Sequence, residues 1–391
     1  MTAESTSARR PWVVLAGCFL VATGFNAYLF APASIISFFV EAFAIDKPAA
    51  GLSISVVFLG WVLFQIPSGL LMDRYDNRVL VWVGIAVFVG AAVVGPFAPT
   101  YPAFLVTRFV GGATAVFLWT ANANIVAQSF PQARRAVGTS LFVTSAPAGA
   151  TLAQVAGPPL QTVVGWRGVV AAYAVVTIAG VVPFVWALDD PIRNESALSL
   201  SGFATALSDK RVLAIATSSF CAYSLFVFFN SWMPTYAAEA VSVDLATAGV
   251  LSAIVPAMGL LARPGGGWLS DRLGGRRRPV IIAAFVLVIP ALVVAAVATS
   301  VVWFAAALLL AGVGSQLGTG VFYVYVEEVS PPASGGTSLA VLMTLSIAGA
   351  LVAPVAAGWL VDVASWTTAF GVGGVLALSG VAAVARLPES E

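Results

Sequence analysis

Gly69-Leu70-Leu71-Met72-Asp73-Arg74-Tyr75-Asp76-Asn77-Arg78 returns later in the chain as Gly267-Trp268-Leu269-Ser270-Asp271-Arg272-Leu273-Gly274-Gly275-Arg276. The glycines (267 − 69) and the aspartates (271 − 73) are both 198 positions apart. A second pair, Gly138-Thr139-Ser140-Leu141 and Gly336-Thr337-Ser338-Leu339, keeps the same spacing of 198 (336 − 138). A looser pair matches Gly165-Trp166-Arg167 with Ser365-Trp366-Thr367. Two matches in one register identify a chain built from two similar halves.

The material between the repeats is apolar almost throughout. Of 391 residues, 60% are hydrophobic and 9% charged, against about 25% charged in a soluble domain. Mean hydropathy is +0.98. A water-soluble fold of this composition would expose apolar surface on every side, so lipid is the fitting solvent. A bilayer-spanning helix needs roughly 20 apolar residues. Twelve candidates follow: about 11–40, 50–72, 78–98, 102–129, 135–162, 165–188, 211–238, 246–270, 279–299, 301–326, 335–361 and 365–386. The first begins after Arg9-Arg10 like a signal peptide but is too long, and too many similar runs follow. The expected fold class is therefore an all-α membrane protein of two pseudo-symmetric six-helix bundles. They would comprise residues 1–188 and 211–391, joined by a polar linker at 189–210.

The same composition excludes other classes. A net charge of +1 gives no electrostatic footprint for nucleic acid. With no histidine and only Cys18 and Cys221, both inside apolar runs, metal centres and histidine catalysis lack their usual groups. No cofactor is expected. No G-x-x-x-x-G-K-[ST] loop is present, so ATP is not the energy source. An intramembrane enzyme would need acid, base or metal groups clustered at depth, and none is seen. The twelve-span arrangement puts most of the 18 Lys and Arg residues on one side, including Arg74, Arg78, Arg134, Arg135 and Arg276–Arg278. Lys47 and Arg167 fall on the other. That bias predicts both termini in the cytoplasm and the protein in the cytoplasmic membrane.

The repeated loop has readable physics. Glycine allows close helix approach. The helix-end aspartate and its neighbouring arginines can form charge-assisted hydrogen bonds that are made in one conformation and broken in another. Gly69, Asp73, Arg74 and Arg78, with Gly267, Asp271, Arg272 and Gly274, are the gating candidates. This G-x-L-x-D-R-x-G pattern resembles the signature loop of the major facilitator superfamily. Arg108-x-x-Gly111-Gly112 is similar to that superfamily's fourth-helix motif, and Ser145-Ala-Pro147-Ala-Gly149 resembles a degraded form of its fifth-helix motif. The resemblance covers essentially the whole chain. It implies a secondary transporter working by alternating access, with a small-molecule substrate bound between the halves near the bilayer midplane, and able to function as a monomer. Asp76-Asn77 replaces the usual glycine and basic residue in the first loop, so that half should latch differently.

Two arginines lie inside spans, where charges are costly and functional by default. Arg263 precedes Asp271 by eight residues, about 12 Å along a helix; Arg108 lies in the fourth span. No Asp, Glu or His occupies the middle of any span. Either Arg263 binds an anionic substrate, or it bonds helix-end carbonyls or a cytoplasmic acid. The run from Arg263 to Gly274 resembles the eighth helix of nitrate/nitrite porters. Oxalate/formate exchangers and monocarboxylate carriers also have an arginine there. Where nitrate porters have a second arginine, this chain has Gln65 (263 − 198). It lacks their Asn-Gly-rich signature and has no lysine in the eleventh span. One arginine with neutral donors suits a singly charged anion such as a small monocarboxylate. The runner-up is an exporter of drugs or other amphiphiles. Gln65 is kept with Arg263 as a substrate-binding candidate. By family analogy, Asn26, Tyr28, Trp119, Asn122, Asn230, Trp232, Gln316, Tyr323 and Tyr325 join Arg108 as candidate lining groups; each could equally make helix–helix contacts.

Overall fold

The computed structural model describes residues 10–187, 207–330 and 335–389, which form helices joined by short turns. Eleven runs among them are long and apolar enough to cross a bilayer. In chain order they begin with α1 Pro11–Phe43, α2 Lys47–Met72, α3 Asn77–Phe97 and α4 Tyr101–Ser129. The fifth, Arg135–Phe184, has 50 residues, about 75 Å of helix at 1.5 Å per residue and more than twice a hydrocarbon core of ~30 Å. Gly165 breaks it, with φ 68° and ψ 169°, a conformation that only glycine adopts without strain. The run is therefore two crossings, α5 (135–164) and α6 (166–184). After them come α7 Lys210–Glu239, α8 Leu245–Arg272, α9 Arg278–Val297, α10 Val301–Val329, α11 Gly336–Val363 and α12 Trp366–Val384.

Contacts confirm the reversal at Gly165. Gly149 packs on Thr23 and Asn26, and Gly157 on Ser34, so α5 runs parallel to α1. Gly24 packs on Thr177, and Gly180 on Gly17 and Val21, so α6 runs antiparallel to it. The second half repeats the trio. Gly349 and Gly358 of α11 pack on Phe220 and Trp232 of α7, in parallel. Ser218 of α7 donates to the Gly380 carbonyl of α12 at 2.9 Å, and Phe228 meets Phe370 at 5.7 Å, antiparallel. The corresponding glycines, 149 and 349, differ by 200 and the residues they touch, 23 and 220, by 197. Twelve crossings in two similar sets match the sequence expectation.

Helix starts carry their own signals. Asp76, Thr100, Asp209, Asp244, Ser300 and Ser365 each accept a backbone N–H from the first turn of the helix that follows, the contact that makes these residues good N-caps. In α1 the regular ladder gives way to a 3₁₀ turn at Ala31–Ile35, because Pro32 has no N–H to donate. Val163, Val182, Leu261 and Val302 are exposed. Large apolar side chains on the outside of a protein this apolar fit a hydrocarbon solvent, and the chain is a multi-pass membrane protein.

The described residues pack as two compact units. One falls within Met1–Ile35 and Leu59–Ala197, the other within Ile36–Phe58 and Leu198–Glu391. Residues 36–58 precede the mid-chain boundary read from the repeat, yet Ile36 and Ala50 belong to the same buried cluster as Trp232, Tyr236 and Phe370. Most of the expected linker, 189–210, lies outside the described residues.

Candidate functional site

In the second unit the site is built where α8 meets α10. At Gly266 an added Cβ would collide with the Leu317 carbonyl oxygen, so the two backbones touch. Gly320 lies against the Arg263 carbonyl, 3.8 Å from its Cβ position. This approach brings Arg263 to Gln316, and the guanidinium Nε–H donates to Gln316 Oε1 at 2.8 Å. Gln316 is 1% exposed, while Arg263 is half-buried. The Arg263 guanidinium also faces the Phe226 ring at 6.0 Å. Tyr323, within electrostatic reach of Arg263, shares a 3.2 Å hydrogen bond between hydroxyls with Tyr223. Arg263, Gln316 and Tyr323, all candidates from the sequence, thus fall together. Tyr223 and Gly266 join them; Gly266 was hidden inside the run Gly265-Gly266-Gly267.

Other candidates are committed elsewhere. Trp232 is fully buried and donates to the Pro354 carbonyl at 3.0 Å. Asn230 donates to the Phe226 carbonyl of its own helix at 2.8 Å. Tyr325 donates to the Pro388 carbonyl at 2.6 Å. Trp232 and Tyr325 thereby tie α7 to α11 and α10 to the chain end, while the Asn230 bond stays within α7.

In the first unit, the expectation for Arg108 is corrected. It is fully buried and donates to the carbonyls of Tyr28 and Leu29, at 2.7 Å each. The missing partner of Tyr28 is the N–H four residues on, which Pro32 lacks. Arg108 supplies that donor, with its guanidinium 4.2 Å from the Tyr28 ring. Both residues therefore hold the break in α1. Asn26 donates to the Ala22 carbonyl at 2.8 Å. Gln65 accepts from Trp61 Nε1 at 3.0 Å, so the repeat partner of Arg263 bonds within its own helix. Trp119 packs on Phe142, centroids 4.9 Å apart, and on Phe25 and Trp61. Asn122 is fully buried, with no hydrogen-bond partner for either amide atom among the described residues.

The two repeated loops turn differently. In the second, Gly274 and Gly275 take φ of 74° and 80°. Arg277 bridges Asp271 at 3.2 Å and Glu328 at 2.8 Å, and the pairing with Glu328 raises its pKa. Arg272 lies 4.3 Å from the Trp268 ring. In the first, Asp76 caps α3 and pairs with Arg78 at 2.8 Å, while Arg74 faces the Tyr75 ring at 5.8 Å. The side chain of Asp73 lies outside the described residues, and no close contact is described for Gly69. A Cβ on Gly267 would meet nothing within 4 Å. The close approach expected of that glycine belongs to its neighbour, Gly266.

At the opposite end of the second unit, Lys47 gathers four partners. Its Nζ pairs with Glu239 at 2.9 Å and its backbone N–H donates to Asp362 at 3.2 Å. Its carbonyl touches Gly358, and its ammonium lies 5.4 Å from the Trp366 ring. Trp366 also donates to Glu239, at 3.1 Å. Half-exposed ion pairs of this kind contribute about 0.2–1 kcal/mol. Lys47→Glu is expected to speed amide exchange in residues 46–51 about two- to fivefold. Combining it with Glu239→Lys should restore protection, as measured by hydrogen–deuterium exchange.

A paired-repeat helical bundle with a cation held inside a span is the architecture of a secondary carrier. The family model for the Major Facilitator Superfamily matches residues 15–345 and 215–391, and the chain belongs to that superfamily. It is a transporter of small molecules, not an enzyme. An uncharacterized MFS-type transporter of Mycobacterium tuberculosis is 25% identical over 338 residues, covering 85% of this chain and 75% of the relative. The probable nitrate/nitrite transporter NarK2 of the same organism is 26% identical over 335 residues, covering 82% and 81%. A crystal structure of a bacterial homologue of the human lysosomal transporter Spinster shares the fold, with a TM-score of 0.76, 16% identity, and coverage of 96% and 94%.

Proposed function

We propose that this chain carries a small, singly charged anion of the monocarboxylate kind across the cytoplasmic membrane by alternating access, with Arg263 as the anchor. The observation that carries the proposal is the Arg263–Gln316 bond. A cation about 12 Å inside its helix is oriented by a neutral amide oxygen at 2.8 Å, which fixes the guanidinium without adding a negative charge. A guanidinium in that setting favours a planar anion. The Tyr323 and Tyr223 hydroxyls share one hydrogen bond, which leaves one O–H of the pair to donate to the same ligand, and the nitrate/nitrite relative points the same way.

In this reading residues 1–188 and 211–391 are the two rocking halves, joined by the 189–210 linker, and both termini are cytoplasmic. One chain suffices, because it contains both halves. The Asp271–Arg277–Glu328 bridge is made and broken as the carrier turns over, together with the Asp76–Arg78 loop of the other half. Arg108 is left out of the ligand set, since its donors hold α1. Uptake of labelled acetate, formate, nitrate, an organic cation and a neutral amphiphile into proteoliposomes tests the reading. The small monovalent anions are expected to be carried. Transport of the cation or amphiphile alone would overturn it in favour of a drug exporter.

A further inference from the structure

The Gln316 amide has more to do than hold Arg263. A guanidinium offers only donors, so the amide must turn its oxygen toward Arg263, as the 2.8 Å bond shows. Its nitrogen is thereby turned away, carrying two N–H donors. Gln316 is 1% exposed, and Nε2 has no hydrogen-bond partner among the described residues. A buried donor without an acceptor is costly, and such groups call for a missing partner. The partner is one that accepts hydrogen bonds and can sit beside a guanidinium.

We propose that Gln316 is the selectivity residue of the anion site: its amide nitrogen donates to one oxygen of a planar oxyanion whose other oxygen is held by Arg263. The inference rests on the anion reading above. Carboxylates and nitrate both present coplanar acceptor oxygens and meet both donors together. A halide is a single sphere and cannot bridge an oriented guanidinium and an amide in the same way. An ammonium brings donors toward donors, and positive charge toward positive charge, and is rejected. The amide polarity is locked by Arg263, so Gln316 cannot flip to accept from a cationic ligand.

Proteoliposome uptake of acetate, nitrate and bromide by wild type, Arg263→Ala and Gln316→Leu tests this. Gln316→Leu is expected to lower the preference for acetate and nitrate over bromide about tenfold, the loss of one hydrogen bond to a charged group. Equal loss for all three ions would mean that Gln316 only positions Arg263, and would overturn the proposal. Arg263→Ala separates the two readings: if that variant transports normally, the anion site itself is wrong; if it is inactive while Gln316→Leu keeps the wild-type ion preference, only the Gln316 role falls. Should Gln316→Leu fail to fold, Gln316→Glu serves. Its carboxylate would occupy the ligand's place beside Arg263. This variant should be inactive, melt higher than wild type and gain no further stability from acetate. A stabilisation by acetate equal to that of wild type would overturn the proposal.

Discussion

Gly266→Val is expected to separate α8 from α10 and to leave little folded, active protein. The Cβ would land on the Leu317 backbone carbonyl, and a backbone atom cannot rotate out of the way as a side-chain tip can. Overpacking in a core costs about 1–3 kcal/mol even where side chains can yield, so a cost of roughly 3 kcal/mol or more follows here. The loss should reach the site as well, because the same approach holds Arg263 against Gln316. Gly267→Val is the control. Its Cβ meets nothing within 4 Å, so detergent-solubilised protein should melt close to wild type. Similar melting temperatures for the two variants would show that the helices do not approach at Gly266.

Arg108→Leu should destabilise the first unit by about 3–5 kcal/mol, since it removes both donors from the Tyr28 and Leu29 carbonyls in a medium without water to replace them. Arg108→Lys keeps the charge but loses the planar fork that reaches two carbonyls at once, so it should rescue only partly. The break in α1 supplies the sharper check. Pro32→Ala restores the N–H that Tyr28 lacks and should recover part of the stability lost in Arg108→Leu. Thermal melting of the single and double variants measures the coupling. Additive effects would mean that Arg108 does not serve the break. If Arg108→Leu melted like wild type and lost only transport, Arg108 would return to the ligand set.

The fold was legible because the repeat and the apolar runs are written into composition and spacing. The twelve crossings follow from run length, and the Gly165 break coincides with the expected boundary between the fifth and sixth spans. What the sequence hid was which neighbour each polar group chooses. Arg108 and Arg263 read alike as intramembrane cations. Pro32, 76 positions before Arg108 (108 − 32), decides that Arg108 serves a helix break. Nothing in the sequence signals that Trp232 donates to the Pro354 carbonyl of another helix or that Asn230 donates to the Phe226 carbonyl within its own. Gly267 carries the repeat signature, but contact distance belongs to Gly266, because the helix face turned toward α10 is set by packing. The Lys47 cluster is illegible for the same reason: its partners Glu239, Asp362 and Trp366 lie far along the chain, with no spacing that ties them to Lys47.

The most direct test of the central claim is anion uptake by Arg263→Ala and Arg263→Lys in proteoliposomes, each compared with wild type at equal reconstituted protein and equal melting temperature. Loss of a charged hydrogen-bonding anchor of about 2–3 kcal/mol predicts that Arg263→Ala transports acetate or nitrate roughly 100-fold less well. Arg263→Lys should retain part of the activity, because charge survives while the fork is lost. Wild-type rates in a folded Arg263→Ala protein would contradict the account and make the arginine a structural residue of α8.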